Sequence, residues 1–411
     1  MKLKSEPFLS PLLKKAEDKK GGSGYDDAMA SPKTVTIERI FLDRTAKTSP
    51  LTRRILKDLP RVPVTIVADK KAFLRDIGKT SLSAGKKSLW ITRFKGNFLK
   101  PCPATGTDYL CCGYWVLNAQ THCPLDCTYC ILQNYLNVPL ITVYVNTGNI
   151  SREIDTLIED QPKRLFRMGT GELTDSLAFD PVTHFNERLI RHALKKKMIL
   201  EIKTKTGLVD HLPDIRKSNI LISWSLNPQD FIKTQEFKSA PLEARLKAAS
   251  RAVQKGYRLG FHFDPLLLLP GWEKKYSELL EQLTSKIPES EVMWISLGSL
   301  RFPPALKKMI TERFPSSAIT AAEFVKGLDG KMRYFRPERV RLYRHVYAEI
   351  RKKWKDVFIY FCMENRTVWE EVMGFSPEKS DHLDYLFHAN LEKRFPDLKL
   401  PTAKQTSYFQ T

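Results

Sequence analysis

No stretch of this 411-residue chain stays apolar for long. The longest strongly apolar run, Leu266 to Leu269, is enclosed by two prolines and is far too short to cross a bilayer. The opening MKLKSEPFLSPLLKK lacks the continuous apolar segment of a secretory signal. Export and membrane insertion are therefore not expected, and the chain reads as cytoplasmic. Cysteine is scarce and odd in number: seven, at positions 102, 111, 112, 123, 127, 130 and 362, six of them inside one 29-residue stretch. That is not the framework of a disulfide-stapled domain. In a reducing compartment such clustering points to metal or redox chemistry. Lys and Arg are missing altogether from residues 101–150, the segment that holds most of the cysteines.

What is present is ordinary in bulk and uneven in charge. Hydrophobic residues make up 42% and charged residues 27%, as in a soluble globular protein, and the length allows a large core. The net charge of +21 suggests a polyanionic partner, nucleic acid being the commonest, although a generally basic composition gives the same total. Distribution favours the partner. Residues 51–100 carry 13 Lys and Arg against 3 Asp and Glu, and residues 331–360 carry 10 against 3. A charge-poor cysteine region between basic ones suits a shielded redox centre beside an anionic surface.

Residues 1–33 read as a disordered basic tail, charged, poor in aromatics and broken by Gly21-Gly22-Ser23-Gly24. Residues 34–112 form an N-terminal region, with a helix near 51–58 and a short strand at Pro63–Val67. From 113 to 330 a βα rhythm predicts strands at Gly113–Asn118, Arg164–Met168, Ile199–Thr204, Ile220–Leu226, Arg258–Phe263 and Val292–Leu297. Helical patterns at Asn186–Lys197, Leu242–Lys255 and Glu273–Lys286 separate several of them. Such alternation implies parallel pairing. The preferred architecture is α/β, a partial (β/α)6 TIM-like barrel, although the spacing also fits an open doubly wound sheet. Residues 331–411 read as a C-terminal basic extension with a helix, Pro337–Lys355, and a strand, Val357–Phe361. In that helix Val340, Tyr343, Tyr347, Ile350 and Trp354 make an apolar stripe, which turns Arg341, Arg344, His345 and Lys352 outward toward phosphates. A solvated helix face is the plainer alternative.

Immediately after the first barrel strand stands Cys123-Pro-Leu-Asp-Cys127-Thr-Tyr-Cys130, a C-x3-C-x2-C spacing. Three thiolates on a short loop can ligate three irons of a [4Fe–4S] cubane and leave the fourth open for a chelating cosubstrate. A structural zinc site using His122 is the competing assignment, but zinc motifs usually pair two C-x2-C units and no second unit exists here. The spacing, with aromatic Tyr129 before the last cysteine, is the signature of the radical S-adenosylmethionine (SAM) superfamily. That resemblance implies cleavage of SAM to a 5′-deoxyadenosyl radical, with flavodoxin or ferredoxin as electron donor.

Barrel active sites gather at the carboxyl ends of the strands. The second strand leads into Gly169-Thr170-Gly171-Glu172, similar to the superfamily's Gly-Gly-Glu-type segment that holds the SAM amino group, or simply a glycine turn. The third ends in Lys203-Thr204-Lys205, the fourth in Ser223-Trp224-Ser225-Leu226-Asn227, polar groups suited to carboxylate or ribose contacts or to structural bonds. His262, at the fifth, reads as a satisfied core or supporting histidine rather than a base.

Together these segments resemble the spore photoproduct lyase family. The similarity runs from about Ile37 to Phe361, through CPLDCTYCILQ (123–133), TKTGLVDHL (204–212), Ser223–Asn227, ARLKAASRAVQKGYRLG (244–260), Pro270–Glu273 and Ile359–Phe361. It implies the partial barrel, SAM and a [4Fe–4S] cluster as cofactors, and repair of a thymine–thymine adduct in DNA, with the lesion turned out of the stack. By position, Lys205 and Ser225 would contact SAM, with Thr170 close by; Tyr129, Gly169, Gly171, Glu172 and Asn227 complete the expected cofactor residues.

The chain departs from the family pattern twice. Gly169 stands where those lyases carry a hydrogen-donating cysteine, and Ile131 where a second tyrosine is common. Cys111, Cys112 and Cys362 are the replacement donors expected, and Gly169→Cys is expected to restore the usual one. Three functions follow: a carbon–carbon lyase acting on damaged DNA, a radical SAM paralogue modifying RNA, a peptide or a small metabolite, and a non-catalytic iron–sulfur protein binding nucleic acid. A SAM cradle argues against the third.

Overall fold

A computed structural model describes residues 36–103 and 109–408. The expected tail, residues 1–33, lies outside them.

Two sheets organise the described chain. The larger has eight strands, of which seven run parallel: β1 (Trp115–Leu117), β2 (Phe166–Thr170), β3 (Met198–Thr204), β4 (Ile220–Ser225), β5 (Arg258–Leu266), β6 (Val292–Ser299) and β7 (Phe358–Phe361). The short strand Leu99–Pro101 pairs antiparallel with β1 at one edge. β1 to β6 each begin within two residues of the positions expected from sequence. Their sequences explain the placement. β4 (ILISWS) and β6 (VMWISLGS) are buried at every residue, the near-continuous apolar run that a parallel strand covered on both faces requires. Helices such as Phe185–Ala193, burying Phe185, Leu189, Ile190 and Ala193, cover one face.

Strand order settles the choice of architecture. The parallel strands follow one another from β1 to β7 with no reversal. A doubly wound sheet reverses its order at a switch point; a sheet wound one way curls toward a barrel. Among the described residues β7 and Leu99–Pro101 remain edges, so the barrel is partial. β7, expected from sequence as part of an appended extension, is the barrel's last parallel strand, with Ile359 opposite Ile295.

The second sheet was barely visible in the sequence. It has the order Val64–Val67, Arg39–Asp43, Ser88–Thr92, Ile141–Tyr144, Gln120–Thr121, the first four parallel and the last antiparallel. Two of its strands come from the stretch that the βα rhythm assigns to the barrel. The chain therefore leaves β1, contributes Gln120–Thr121 to this sheet, runs through the cysteine loop and returns with Ile141–Tyr144 before entering β2. The cysteine loop is thus anchored on the N-terminal sheet at both ends.

Candidate cofactor site and barrel interior

The loop Cys123–Cys130 leaves the carboxyl end of β1 and is held by three neighbours. Its residues Asp126–Cys127 pair antiparallel with Glu236–Phe237, and the Thr128 amide donates to the Gln235 carbonyl at 2.9 Å. From the N-terminal sheet's side, Lys86 reaches in with its ammonium on the Leu125 carbonyl and 2.9 Å from the Asp126 carboxylate. Arg313 bridges to the same carboxylate at 2.9 Å. Lys86 is buried. Burial disfavours its charge, but Cys123, Cys130 and Asp126 more than compensate and raise its pKa.

The residues fit an iron–sulfur cluster. The Cys123 and Cys127 thiols lie within electrostatic reach of each other and of Cys130. Burial pushes the Cys123 thiol up to about 12 and Cys127 well above its ordinary value. Cys127, buried, and Cys123, half-buried, beside a buried lysine are a donor set that becomes anionic on binding metal, releasing protons. Among the described residues no three Cys, His, Asp or Glu side chains converge on one ion-sized point. A cubane is wider than a single ion and binds thiolates that stand apart around it.

Beside the loop, four of the residues singled out by sequence come together on one that was not. Glu236 accepts from the Tyr129 hydroxyl, from the Lys205 ammonium at 3.2 Å and from the Asn227 amide at 2.8 Å. Its other oxygen accepts from Arg245 at 2.6 Å, and Arg245 also donates to the Ser225 carbonyl at 2.8 Å. Tyr129, Lys205, Ser225 and Asn227 are thereby joined. Burial opposes the Glu236 charge, yet Lys205, Arg245 and the hydrogen bonds hold its carboxyl well below the usual range. Glu236 and Arg245 escaped the sequence reading because they lie on a connecting segment and a covering helix rather than at a strand end. No local signal marked them: Glu236 stands among Lys233, Gln235 and Lys238, and Arg245 between Glu243 and Lys247.

The Gly169–Glu172 segment follows β2 as expected. Gly171 has φ +99°, and a side chain there would press on the Ser176 hydroxyl and the Lys203 carbonyl. The Thr170 hydroxyl donates to Ser176 at 2.7 Å. Glu172 acts on half-buried Lys203, whose ammonium also feels Glu201, Asp264 and Cys362.

At Gly169 the structure corrects an expectation. A Cβ there would overlap the hydroxyl of Tyr114 outright and crowd its ring. Tyr114 donates to Glu201 Oε2 at 2.6 Å, and His262 Nε2 donates to Glu201 Oε1 at 2.6 Å. His262 is the satisfied interior histidine that the sequence suggested. Burial and the adjoining carboxylate push the Tyr114 phenol well above its ordinary pKa. The volume that a cysteine at 169 would need is occupied, so Gly169→Cys does not simply restore a donor.

The remaining candidates fall in two places. Cys111, Cys112 and Cys362 lie on segments brought side by side by the Leu110–Glu364 bridge, Cys111 buried and the other two half-buried. Arg341, Arg344 and Lys352 are exposed on the helix Arg336–Lys353, which buries Val340, Leu342, Tyr343, Val346 and Ile350. Each has a partner: Arg341 pairs with Glu338 at 3.2 Å, Arg344 donates to the Glu371 carbonyl at 2.7 Å, and Lys352 pairs with Glu349. His345 is half-buried against Ser277 instead of facing outward.

A one-way parallel half-barrel with a C-x3-C-x2-C loop at the end of its first strand defines a protein of the radical SAM barrel class. A family model for spore photoproduct lyase matches residues 112–361, more than half of the chain. The chain belongs to the spore photoproduct lyase family. It is 28% identical over 234 residues to the spore photoproduct lyase of Bacillus subtilis, covering 56% of this chain and 66% of that one. It thus spans just under two thirds of that relative's length. To the spore photoproduct lyase of Clostridium acetobutylicum it is 23% identical over 288 residues, covering 68% and 83%. Among solved structures, spore photoproduct lyase complexed with dinucleoside spore photoproduct aligns with TM-score 0.71 and 24% identity, over 80% of this chain and 100% of that one. A mutant with bound AdoMet and dinucleoside spore photoproduct aligns with TM-score 0.71 and 22% identity over the same shares. At these identities the alignments show the shared fold.

Proposed function

We propose that this protein is a radical SAM lyase that repairs a thymine–thymine photoproduct in DNA. The observation that carries the reading is the cysteine loop seated beside the Tyr129–Lys205–Asn227–Glu236–Arg245 network, within a chain of this family. Cys123, Cys127 and Cys130 would hold a [4Fe–4S] cluster, which together with SAM would supply a 5′-deoxyadenosyl radical. The chain's own residues do the rest. Glu236 fixes Tyr129 and Lys205 in place, so that Lys205 would present a cation to the SAM carboxylate and Ser225 would lie toward its ribose, while Asn227, held by Glu236 and Tyr276, braces the hub. Gly171 lets the backbone after β2 approach closely, and Glu172 offers an acceptor to the SAM amino group. Lys86 offsets the negative charge of the thiolate loop. Solved relatives hold AdoMet and dinucleoside spore photoproduct, which supports both choices. DNA would meet the basic surfaces, and a flavodoxin- or ferredoxin-type donor would supply the electron.

Tyr114 favours a second reading, a radical SAM enzyme for another substrate, because it fills space beside the position where the family's thiol stands. One experiment separates them. Reconstituted anaerobically, the chain should hold about four irons and four sulfides, and the triple alanine variant of Cys123, Cys127 and Cys130 should hold none. Reduced and given SAM with dinucleoside spore photoproduct, the wild type should release 5′-deoxyadenosine and intact thymine dinucleotide. Cleavage of SAM with the photoproduct untouched selects the second reading. A cluster that survives loss of all three cysteines removes both.

A further inference from the structure

Hydrogen abstraction leaves a carbon radical, and closing the reaction requires a hydrogen atom from a weak bond, which a thiol S–H provides. Position 169 offers none. We propose that Cys362 is the hydrogen-atom donor at the barrel mouth, with Cys112, Cys111 and Cys102 behind it as a thiol reserve. This rests on the radical reading of the cofactor site.

None of the seven cysteines is in a disulfide. Three belong to the cofactor loop, and the other four, up to 260 residues apart, are drawn together by the backbone. The Cys102 amide donates to the Tyr114 carbonyl at 2.8 Å, and the Leu110 amide to the Glu364 carbonyl at 3.0 Å, in an antiparallel bridge. The Cys362 amide donates to the Leu297 carbonyl at 2.9 Å, extending β7. These bonds set 102, 110–114 and 362–364 side by side. Within the group, the Cys111 thiol hydrogen-bonds to those of Cys102 and Cys112, and Cys362 lies within electrostatic reach of Cys112 and Cys102.

Cys362 occupies the privileged position. It follows β7 at the carboxyl end, where barrel reactants gather, and shares a face with Tyr360 two residues earlier. Arg301 reaches its sulfur at 3.3 Å while clamping Asp264 through two bonds of 3.1 and 3.0 Å. Through Arg301 this thiol is tied to Asp264, near the carboxyl end of β5. Burial pushes the Cys362 thiol up despite Arg301; the neutral form, which carries the hydrogen, is the one favoured. In the Cys111–Cys112 pair, their hydrogen bond and Arg167 pull Cys112 the other way, against burial. The four thiols are therefore not equivalent. Tyr114, by contrast, holds its hydrogen in a 2.6 Å bond to Glu201.

The transfer balances. One hydrogen atom passes from Cys362 sulfur to the carbon radical, forming C–H and leaving a thiyl. Cys112 returns a hydrogen atom to that thiyl, and the deficit passes to the Cys102–Cys111 pair. Two such events remove two hydrogen atoms and form one S–S bond, which a dithiol reductant reopens by exchange while becoming a disulfide itself. Cys102–Cys111 is preferred to Cys111–Cys112 because a disulfide between adjacent residues closes a strained ring.

Thiol hydrogens exchange with solvent and carbon-bound ones do not. The full chain, reconstituted and reduced, is given SAM in D2O without substrate, so that the 5′-deoxyadenosyl radical is quenched by the nearest donor. Mass spectrometry should find one deuterium in most of the wild-type 5′-deoxyadenosine, and a several-fold loss of label in Cys362→Ala and Cys362→Ser of equal iron content. The label should persist in Tyr114→Phe. Label that survives in both Cys362 variants, or vanishes in Tyr114→Phe instead, overturns the proposal. Wild type that makes no 5′-deoxyadenosine overturns the cofactor reading, and this inference with it. A readout independent of turnover is peptide mapping of the cofactor-free chain after diamide. A Cys102–Cys111 disulfide supports the reserve, and a Cys111–Cys112 disulfide in its place removes it.

Discussion

Glu236 makes four side-chain contacts from four separate segments while almost wholly buried, and both cations that meet it are otherwise enclosed by protein. Removing its charge leaves Lys205 and Arg245 facing a neutral amide. Glu236→Gln, nearly isosteric, should cost about 3–5 kcal/mol, the usual range for breaking a buried pair. Urea unfolding of the two proteins measures this directly, and an unchanged midpoint would deny the hub its role. Glu201 offers a pH test. Its carboxyl is held well below the ordinary value: burial opposes the charge, but His262 outweighs it. A depressed carboxylate stabilises the fold above its unfolded pKa of about 4.3, and that contribution is lost as pH falls below it. Unfolding midpoints taken from about pH 6 down to about pH 2.5 should therefore fall steeply below about pH 4.3 in wild type and less steeply in Glu201→Gln. At Gly169 the expectation has a definite sign. Gly169→Cys should destabilise by about 1–3 kcal/mol through overpacking against Tyr114, and pairing it with Tyr114→Ala should recover part of that loss, a coupling visible in a double-mutant cycle.

At the level of elements, the cysteine loop is positioned by parts distant in sequence: the Glu236–Phe237 strand, Arg313, and Lys86 from the N-terminal sheet's helical connection. Lys86 brings the one buried positive charge of the basic 51–100 segment to the loop. A cation beside the cluster favours its more negative, reduced state. Lys86→Met should shift the cluster's reduction potential to a more negative value, read by a redox titration followed by electron paramagnetic resonance, with iron content unchanged. The helix Arg336–Lys353 is tested by salt. If Arg341, Arg344 and Lys352 leave their internal partners for phosphates, the triple alanine variant should lose about 0.9 from the log–log salt slope of DNA affinity for each contact removed. Their pairing with Glu338, the Glu371 carbonyl and Glu349 makes a smaller change the alternative, and an unchanged slope assigns DNA to the 51–100 surface.

At the scale of the whole molecule, the described chain joins a one-way parallel half-barrel to a second, mostly parallel sheet through the cysteine loop. Much of this was legible in the sequence, for physical reasons. Buried parallel strands demand unbroken apolar runs, so β3, β4, β5 and β6 announced themselves. Thiolate chemistry demands closely spaced cysteines, so the loop did as well. The family likeness carried by segments such as 204–212 and 244–260 was local too. Contacts between distant segments leave no such trace. Nothing in the run around Ile141–Tyr144 says that it pairs with Ser88–Thr92 rather than with β1, because register is set by what a strand meets in space. Nothing local marks Glu236 as the partner of Tyr129 and Lys205, or Tyr114 as the occupant of the space over Gly169. The sequence by itself determined the positions of the barrel strands, the cofactor loop and the absence of a thiol after β2, since each depends on residue types at short range. Only the tertiary structure decided where the four spare thiols meet and what fills the vacant position, since a parallel barrel brings residues 102, 114, 169, 201 and 362 together through crossovers that no short-range pattern encodes.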